Sequence, residues 1–213
     1  MDQQLDLDLP ADEALADLVE GWSRRVRAHK TTGTIHPRRA ASEARLREVL
    51  PQEFADGDHW HVLSAGDVDA LSFAAHLLAT RQADYMLMST WHLAKDDIER
   101  LHGWLADGTV RHCDAYVGEI FRSSYPTEYG ALCSTLRPHG GRVATFRNHS
   151  KVFCIACGPE RFTIESSANV NTNPRCENTV LTKDATLYAH HKRYFDEIHA
   201  FNAHEFPAWT ARP

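Results

Sequence analysis

The sequence has few cysteines and no long hydrophobic stretch. Its five cysteines, among 213 residues, are odd in number and scattered, which favours a reducing compartment over a disulfide framework. No run approaches the roughly 18 apolar residues that would span a bilayer. The first ten residues, MDQQLDLDLP, are acidic where a signal peptide would be basic. We therefore predict a cytoplasmic protein without an integral membrane segment.

Positive charge is also scarce. The chain carries 23 Lys and Arg against 29 Asp and Glu, so its formal net charge is -6. This balance disfavours a strongly basic nucleic-acid-binding surface, although it leaves room for a local one. The 14 histidines are numerous, but the pairs at 59/61 and 190/191 do not form a spaced set of metal ligands.

A CxxC motif at Cys154 and Cys157 raises the alternative of zinc or redox chemistry. A four-ligand zinc site would need a second such pair, and the sequence has none. Cys154 also lies in the apolar run VFCIAC, where a cysteine usually acts as a small buried hydrophobe. We therefore predict no metal and no other cofactor.

The N-terminal part of the chain predicts a helical extension over residues 1–58. Apolar residues recur at helical spacing over 12–29, with acidic residues before them and basic residues after them. This order complements the helix dipole. It is also compatible with a basic edge at 24–39 that would contact a polyanionic substrate. A second short helix is predicted over 41–50.

From residue 59 onward the pattern changes to alternating strands and helices. We predict strands over 61–65, 85–91, 110–118, 143–148, 149–157 and 161–169, and helices over 67–81, 96–107, 127–137 and 184–202. Strand–helix alternation followed by a cluster of strands indicates an α/β fold with a mixed sheet flanked by helices. One domain is therefore expected over 59–213.

Two short polar motifs lie in the strand cluster. His149 and Lys151 are two residues apart on a β-type run, so their side chains are expected on one face. Ser166-Ser167-Ala168-Asn169 follows about fifteen residues later, and Asn171, Asn173 and Glu177-Asn178 come next. A hairpin would bring Ser167 and Asn169 beside His149 and Lys151.

This set of side chains suits phosphoryl transfer. An imidazole can attack phosphorus and form a covalent intermediate. Lys151 and the amide donors would hold the nonbridging oxygens as charge redistributes in the transition state. Glu177 is able to accept a hydrogen bond from the second ring nitrogen of His149 and so fix the tautomer.

HSK at 149–151, SSAN at 166–169 and EN at 177–178 resemble the HxK…GSxN…EN signature of the phospholipase D superfamily. The resemblance extends over about 61–200 and implies a phospholipase-D-like fold and phosphodiesterase activity without a metal. It implies that His149 is the nucleophile, Lys151 and Asn169 bind phosphate, Ser167 supports them and Glu177 orients His149. Superfamily members use two such motifs, and this chain has one, so a symmetric homodimer is implied.

The sequence departs from the family pattern at two positions. Ala156 replaces the aspartate of HxKxxxxD, and Ser166 replaces the first glycine of GSxN. Among phosphodiesters, a nucleic acid is the predicted substrate, because small single-motif members resemble nucleases. Two alternatives stay open. One is a non-catalytic module that binds phosphate or a protein partner, and the other is a lipid phosphodiesterase with an apolar rim beside His149.

Overall fold

The computed structural model of the protein describes residues 37–66, 68–170 and 175–198. The elements are, in chain order, α1 (Pro37–Val49), β1 (His59–Ser64), α2 (Ala70–Leu78), β2 (Tyr85–Thr90), α3 (Lys95–Ala106), β3 (Cys113–Gly118), α4 (Glu119–Ser124), α5 (Pro126–Leu136), a 3₁₀ turn (Arg137–His139), β4 (Val143–Phe146), β5 (Val152–Cys157), β6 (Glu160–Ser166), β7 (Glu177–Lys183) and α6 (Ala185–Asp196).

The described strands form one sheet in the order β1-β7-β6-β5-β2-β3-β4. β2, β3 and β4 are parallel to one another, and the remaining pairs are antiparallel. Local sequence sets several of the boundaries. Asp69 and Asp184 cap α2 and α6 by accepting hydrogen bonds from backbone N–H groups of the first turn. Gly158, with φ +53°, turns the chain between β5 and β6 as predicted.

Helices cover both faces of the sheet. On β2, Met86 and Met88 point into the larger core, together with apolar residues of α1, α2, α3 and α5. Tyr85 and Leu87 alternate with them and point into a smaller core, which α6 closes. The predicted α/β fold, a mixed sheet flanked by helices, is therefore confirmed.

A buried ion pair joins β3 to the segment before β4. The Asp114 carboxylate accepts a hydrogen bond from the Arg142 guanidinium at 2.8 Å, and both side chains are fully buried. Burial raises the pKa of Asp114, but the hydrogen bonds from His112 and Arg142 outweigh it and lower that pKa to about 2. Tyr85 donates a further hydrogen bond to Asp114, which ties β2 to this pair.

Several predicted boundaries were wrong in detail. The strand predicted over 149–157 begins at Val152, so His149 and Lys151 precede it rather than lie on it. The helix predicted over 127–137 is preceded by a separate short helix, α4, and α5 begins at Pro126, whose missing N–H suits the first turn. The helix predicted over 12–29 and all but the last three residues of the basic edge predicted over 24–39 lie outside the described residues.

The helix α1 packs on the same core as the sheet. Leu46 is buried there, and Glu43 accepts two hydrogen bonds from Arg100 of α3. The predicted domain boundary between residues 58 and 59 stays a prediction. Within the described residues, no helix is long and apolar enough to cross a membrane.

The two cysteines of the CxxC motif point away from each other. They lie three residues apart on β5, and strand residues at odd spacing face opposite sides of the sheet. Cys157 belongs to the larger core and Cys154 to the smaller one. Burial raises the pKa of Cys154 to about 12 and that of Cys157 to about 11. The pair therefore lacks the geometry of a zinc or redox motif.

Candidate active site

The predicted site residues meet at one edge of the sheet, where the ends of five strands converge. β2 ends there at Thr90, and Ser89 is paired with Val152 at the start of β5. The backbone N–H of Ser166, at the end of β6, donates to the carbonyl of Lys151 at 2.9 Å. At the end of β1, Ser64 is paired with Glu177 at the start of β7. The carboxyl ends of the parallel strands β2 and β3 lie at this edge, which is a common place for ligands in α/β proteins.

A buried asparagine fixes the segment that carries HxK. The Asn148 side-chain amide donates to Ser89 Oγ at 2.9 Å and to the Tyr116 carbonyl at 2.8 Å. Its oxygen accepts from the backbone N–H of Ser150 at 3.0 Å and from Ser150 Oγ at 2.7 Å. Ser89 Oγ and Ser150 Oγ are 2.7 Å apart, which closes a ring of three hydrogen-bonded side chains. This ring holds residues 148–150 against the ends of β2 and β3.

A cleft of about 150 Å³ lies beside this segment. It is lined by Gly66, His149, Lys151, Ser167, Ala168, Asn169, Arg175 and Glu177, of which six are polar or charged. All five predicted site residues are among them. The structure therefore brings together the side chains that the sequence singled out, while Asn171 and Asn173 lie outside the described residues.

Lys151 and His149 are in direct contact in the cleft. Lys151 Nζ is 2.9 Å from His149 Nδ1 and donates to the His149 carbonyl at 2.6 Å. Lys151 is only 7% exposed, and burial lowers the pKa of its ammonium, an effect that the charge of Glu177 opposes. Among the described residues no carboxylate lies within ion-pair distance of Lys151. The floor of the cleft thus holds a buried cation without an anion in contact.

The other side of the cleft carries the hydroxyl and carboxylate groups. Ser167 Oγ donates a short hydrogen bond to the Glu177 carboxylate and accepts one from the backbone N–H of Asn178 at 2.9 Å. Within the described chain, the Glu177 carboxylate makes no hydrogen bond to His149. The side-chain oxygen of Asn169 is buried and has no hydrogen-bond partner in the described residues.

Comparison with known proteins gives matches of fold. No family model and no curated protein matches the chain. A phospholipase D family member, Nuc, from Salmonella typhimurium superposes with a TM-score of 0.52, at 15% identity over 69% of this chain and 97% of its own. NucT from Helicobacter pylori superposes with a TM-score of 0.52, at 15% identity over 68% of this chain and 98% of its own. The fold is that of the phospholipase D superfamily. The predicted resemblance is thereby confirmed at the level of the fold.

Coverage differs among the proteins that share this fold. The chain spans nearly the whole of Nuc and NucT. Polyphosphate kinase from Porphyromonas gingivalis superposes with a TM-score of 0.50 at 14% identity over 65% of this chain, but only 25% of its own length is covered. The fold of this chain thus matches nearly the whole of the two smaller proteins and about a quarter of the larger one.

The departure from the phospholipase D signature at Ala156 lies far from the cleft. Ala156 is paired with Tyr85 and Arg161 at the opposite end of β5 from Lys151. Ala156 lies five positions after Lys151, which is about 16 Å along extended chain. Ala156 is 5% exposed and packs in the smaller core. An alanine there removes no group from the cleft.

Sequence reasoning missed several residues around the phospholipase D motifs. Arg175 and Gly66 line the cleft, and Asn148 fixes the loop that carries His149. Arg175 lies between SSAN at 166–169 and EN at 177–178, so its position in the sequence was a usable signal. Trp91 and His92, which directly follow β2, were also missed, and their place at the carboxyl end of a buried strand was the signal available.

Within the described residues, no group of three or more His, Cys, Asp or Glu side chains is placed to hold a metal ion.

Proposed function

We propose that the protein is a metal-independent phosphodiesterase that cleaves nucleic acid through a phosphohistidine intermediate, in a site shared by two copies of the chain. The observation that carries this proposal is the buried Lys151 ammonium beside His149 in a polar cleft. A buried charge is costly without a compensating partner. A phosphate bound in the cleft would supply that partner.

In the proposed reaction His149 attacks the phosphorus of the substrate. A P–N bond forms as the P–O bond to the leaving alcohol breaks, and His149 of the second copy donates a proton to the leaving oxygen. Water then attacks the phosphorus, the P–N bond breaks, and the same proton-donating group takes the proton of the water. Lys151, Ser167 and Asn169 hold the nonbridging oxygens throughout.

Binding of the phosphate is proposed to set the tautomer of His149. Lys151 Nζ lies 2.9 Å from His149 Nδ1, and an ammonium can only donate, so Nδ1 is the acceptor in this contact. An anion in the cleft would draw the ammonium away from Nδ1. We propose that Glu177 then accepts a hydrogen bond from Nδ1–H, which leaves the lone pair of Nε2 free to attack.

The homodimer is proposed because the sequence has a single copy of the motif. Subunit mixing tests it directly. If both histidines of a dimer are needed, an equal mixture of wild type and His149→Ala after subunit exchange will retain about a quarter of the activity of the same total amount of wild type, since only wild-type pairs are active. Independent monomers would retain about half. Light scattering that shows an active monomer would also contradict the shared site.

The nucleic-acid substrate and the catalytic role are tested with a substrate panel in EDTA. Single-stranded DNA, duplex DNA, RNA and phosphatidyl lipids are compared with wild type, His149→Ala and the matched control His102→Ala, whose side chain is exposed on α3. We expect cleavage of nucleic acid by wild type and His102→Ala and none by His149→Ala. Activity lost in EDTA would contradict the metal-free mechanism, and cleavage of lipids alone would favour the lipid alternative. No cleavage at all would favour a binding module. The cytoplasmic location stays a prediction from the sequence.

A further inference from the structure

A run of aromatic rings leads away from the cleft. Trp91 and His92 follow β2, and their ring centroids are 4.9 Å apart. His92 is stacked on Tyr125, which lies between α4 and α5, at 5.4 Å and an interplanar angle of 27°. At the other end, the Trp91 ring is 6.4 Å from the ring of His149. The rings of Tyr125, His92 and Trp91 therefore form a continuous series that ends at the proposed nucleophile.

These rings reach the surface. Tyr125 is 38% exposed, and Trp91 and His92 are partly exposed. Rings that only completed the core would be covered, as Phe121 is behind Tyr125. The series is therefore able to offer apolar π surface to a ligand that enters the cleft.

The position of Trp91 is fixed by the end of β3. The backbone N–H of Gly118 donates to the Trp91 carbonyl at 3.1 Å. A Cβ atom at residue 118 would lie 2.5 Å from Trp91 Cδ1 and 2.9 Å from the Trp91 carbonyl oxygen. Gly118 has an ordinary extended backbone, with φ −62°, so the close approach of Trp91 is the reason for a glycine there. The tryptophan is thus held in place before any ligand binds.

The positive charge of Lys151 in the cleft also affects the pKa of His92. Burial lowers the pKa of His92, and the nearby Lys151 ammonium lowers it further. Both effects favour the uncharged form of the His92 ring. An uncharged aromatic surface next to a cationic phosphate pocket matches a nucleotide, which has a flat base attached to an anionic phosphodiester.

We propose that Trp91, His92 and Tyr125 form a stacking surface for the unpaired bases of a single-stranded nucleic acid whose phosphate occupies the His149 cleft. The inference rests on the proposed function for the identity of the phosphate site and adds the substrate class. In a duplex the base faces are covered by their neighbours and are not available to protein rings. The surface therefore selects single strands over duplexes.

Binding is measured on His149→Asn, which cannot turn the substrate over. Fluorescence anisotropy compares three labelled ligands of equal length and charge: a single-stranded DNA, an RNA of the same sequence, and a DNA in which tetrahydrofuran sites replace the bases. We expect the base-containing strands to bind roughly tenfold or more tightly than the abasic strand. Comparing the affinity for the DNA strand with that for the RNA strand shows whether the sugar contributes to binding in addition to the base.

Variants in the same background assign the difference to the rings. Tyr125→Ala and Gly118→Ala, which displaces Trp91, are each expected to reduce the preference for bases by roughly fivefold or more. Tyr125→Phe keeps the ring and is expected to keep the preference. Circular dichroism confirms that the variants are folded. Equal binding of the intact and abasic strands, or a preference that survives Tyr125→Ala and Gly118→Ala in folded proteins, would overturn the inference.

The two proposals fail in different ways. If wild type cleaves nucleic acid through His149 but His149→Asn binds intact and abasic strands equally, the proposed function is supported and the stacking surface is contradicted. If base-dependent binding is found without cleavage, the stacking surface stands and the catalytic proposal falls.

Discussion

Asn148 allows the link between loop geometry and activity to be tested quantitatively. Asn148→Ala removes four hydrogen bonds of 2.7–3.0 Å and a longer one of 3.5 Å to the Thr90 carbonyl. Two of them join Asn148 to the hydroxyls of Ser89 and Ser150, which are 2.7 Å apart and are able to pair with each other. The Tyr116 carbonyl and the Ser150 N–H, by contrast, are left without these hydrogen-bond partners. At about 1–3 kcal/mol for each buried group left unpaired, the free energy of unfolding should fall by about 3 kcal/mol.

Activity should fall as well, because the same hydrogen bonds position His149. A displacement of about 1 Å in a reacting group is able to cost about 100-fold in rate. Urea unfolding followed by tryptophan fluorescence measures stability, with the m value checking that the transition is comparable. Asn178→Ala, whose side chain is exposed on β7, is the matched stability control and should stay within about 0.5 kcal/mol of wild type.

Asn148→Asp separates the donor from the acceptor function. The carboxylate still accepts from Ser150, but it faces the Tyr116 carbonyl with an oxygen instead of an N–H group. It should therefore be at least as destabilising as Asn148→Ala. If Asn148→Ala loses less than about 1 kcal/mol and keeps the wild-type rate, the hydrogen-bonded ring does not hold the site and the reasoning is wrong.

Three further predictions concern charged groups. Lys151→Met should lower kcat by roughly 100-fold or more while the protein stays folded, as the rate of cleavage of a labelled single-stranded DNA and circular dichroism would show. Glu177→Gln should also lower kcat. Ser167→Ala shows whether Glu177 acts on His149 directly or through Ser167. If Ser167→Ala lowers kcat as much as Glu177→Gln does, Glu177 acts through Ser167. The pKa of Asp114 is lowered to about 2, so its stabilisation is fully present above about pH 4 and is lost as the pH falls through 2. Between pH 4 and pH 2, wild type should lose about 2 kcal/mol more of its free energy of unfolding than Asp114→Asn loses.

The fold was largely predictable because its signals are local. Six-residue apolar runs such as those of β2 and β5 are buried on both faces, and they read in the sequence as short uninterrupted hydrophobic segments. The amphipathic pattern of α3 and the Gly158 turn are equally local. The strand order is a property of the whole sheet and could not be derived from such segments.

The site was predicted as a set of residues but not in its contacts. The strand that carries HxK was expected to start at His149, since the run is β-type throughout. In the folded chain the Asn148 side chain takes the Ser150 N–H, and regular pairing begins only at Val152. The partner of Glu177 was not predictable either, because Ser167 competes for the carboxylate through a hydrogen bond between neighbouring strand ends.

The aromatic series could not be predicted from spacing. Tyr125 is more than thirty residues from Trp91, and the rings meet because β3 and α4 return the chain to the carboxyl end of β2. The role of Gly118 could not be predicted from the sequence either, since it depends on a contact with Trp91.

The most direct test of the proposed function is to trap the covalent intermediate. Wild type is mixed with ³²P-labelled single-stranded DNA in EDTA, denatured during turnover under alkaline conditions that preserve phosphohistidine, and digested for peptide mapping. The account predicts label on the peptide that contains His149 and no label in His149→Ala. Steady turnover of wild type without label at His149, or turnover that persists in His149→Ala, would contradict it.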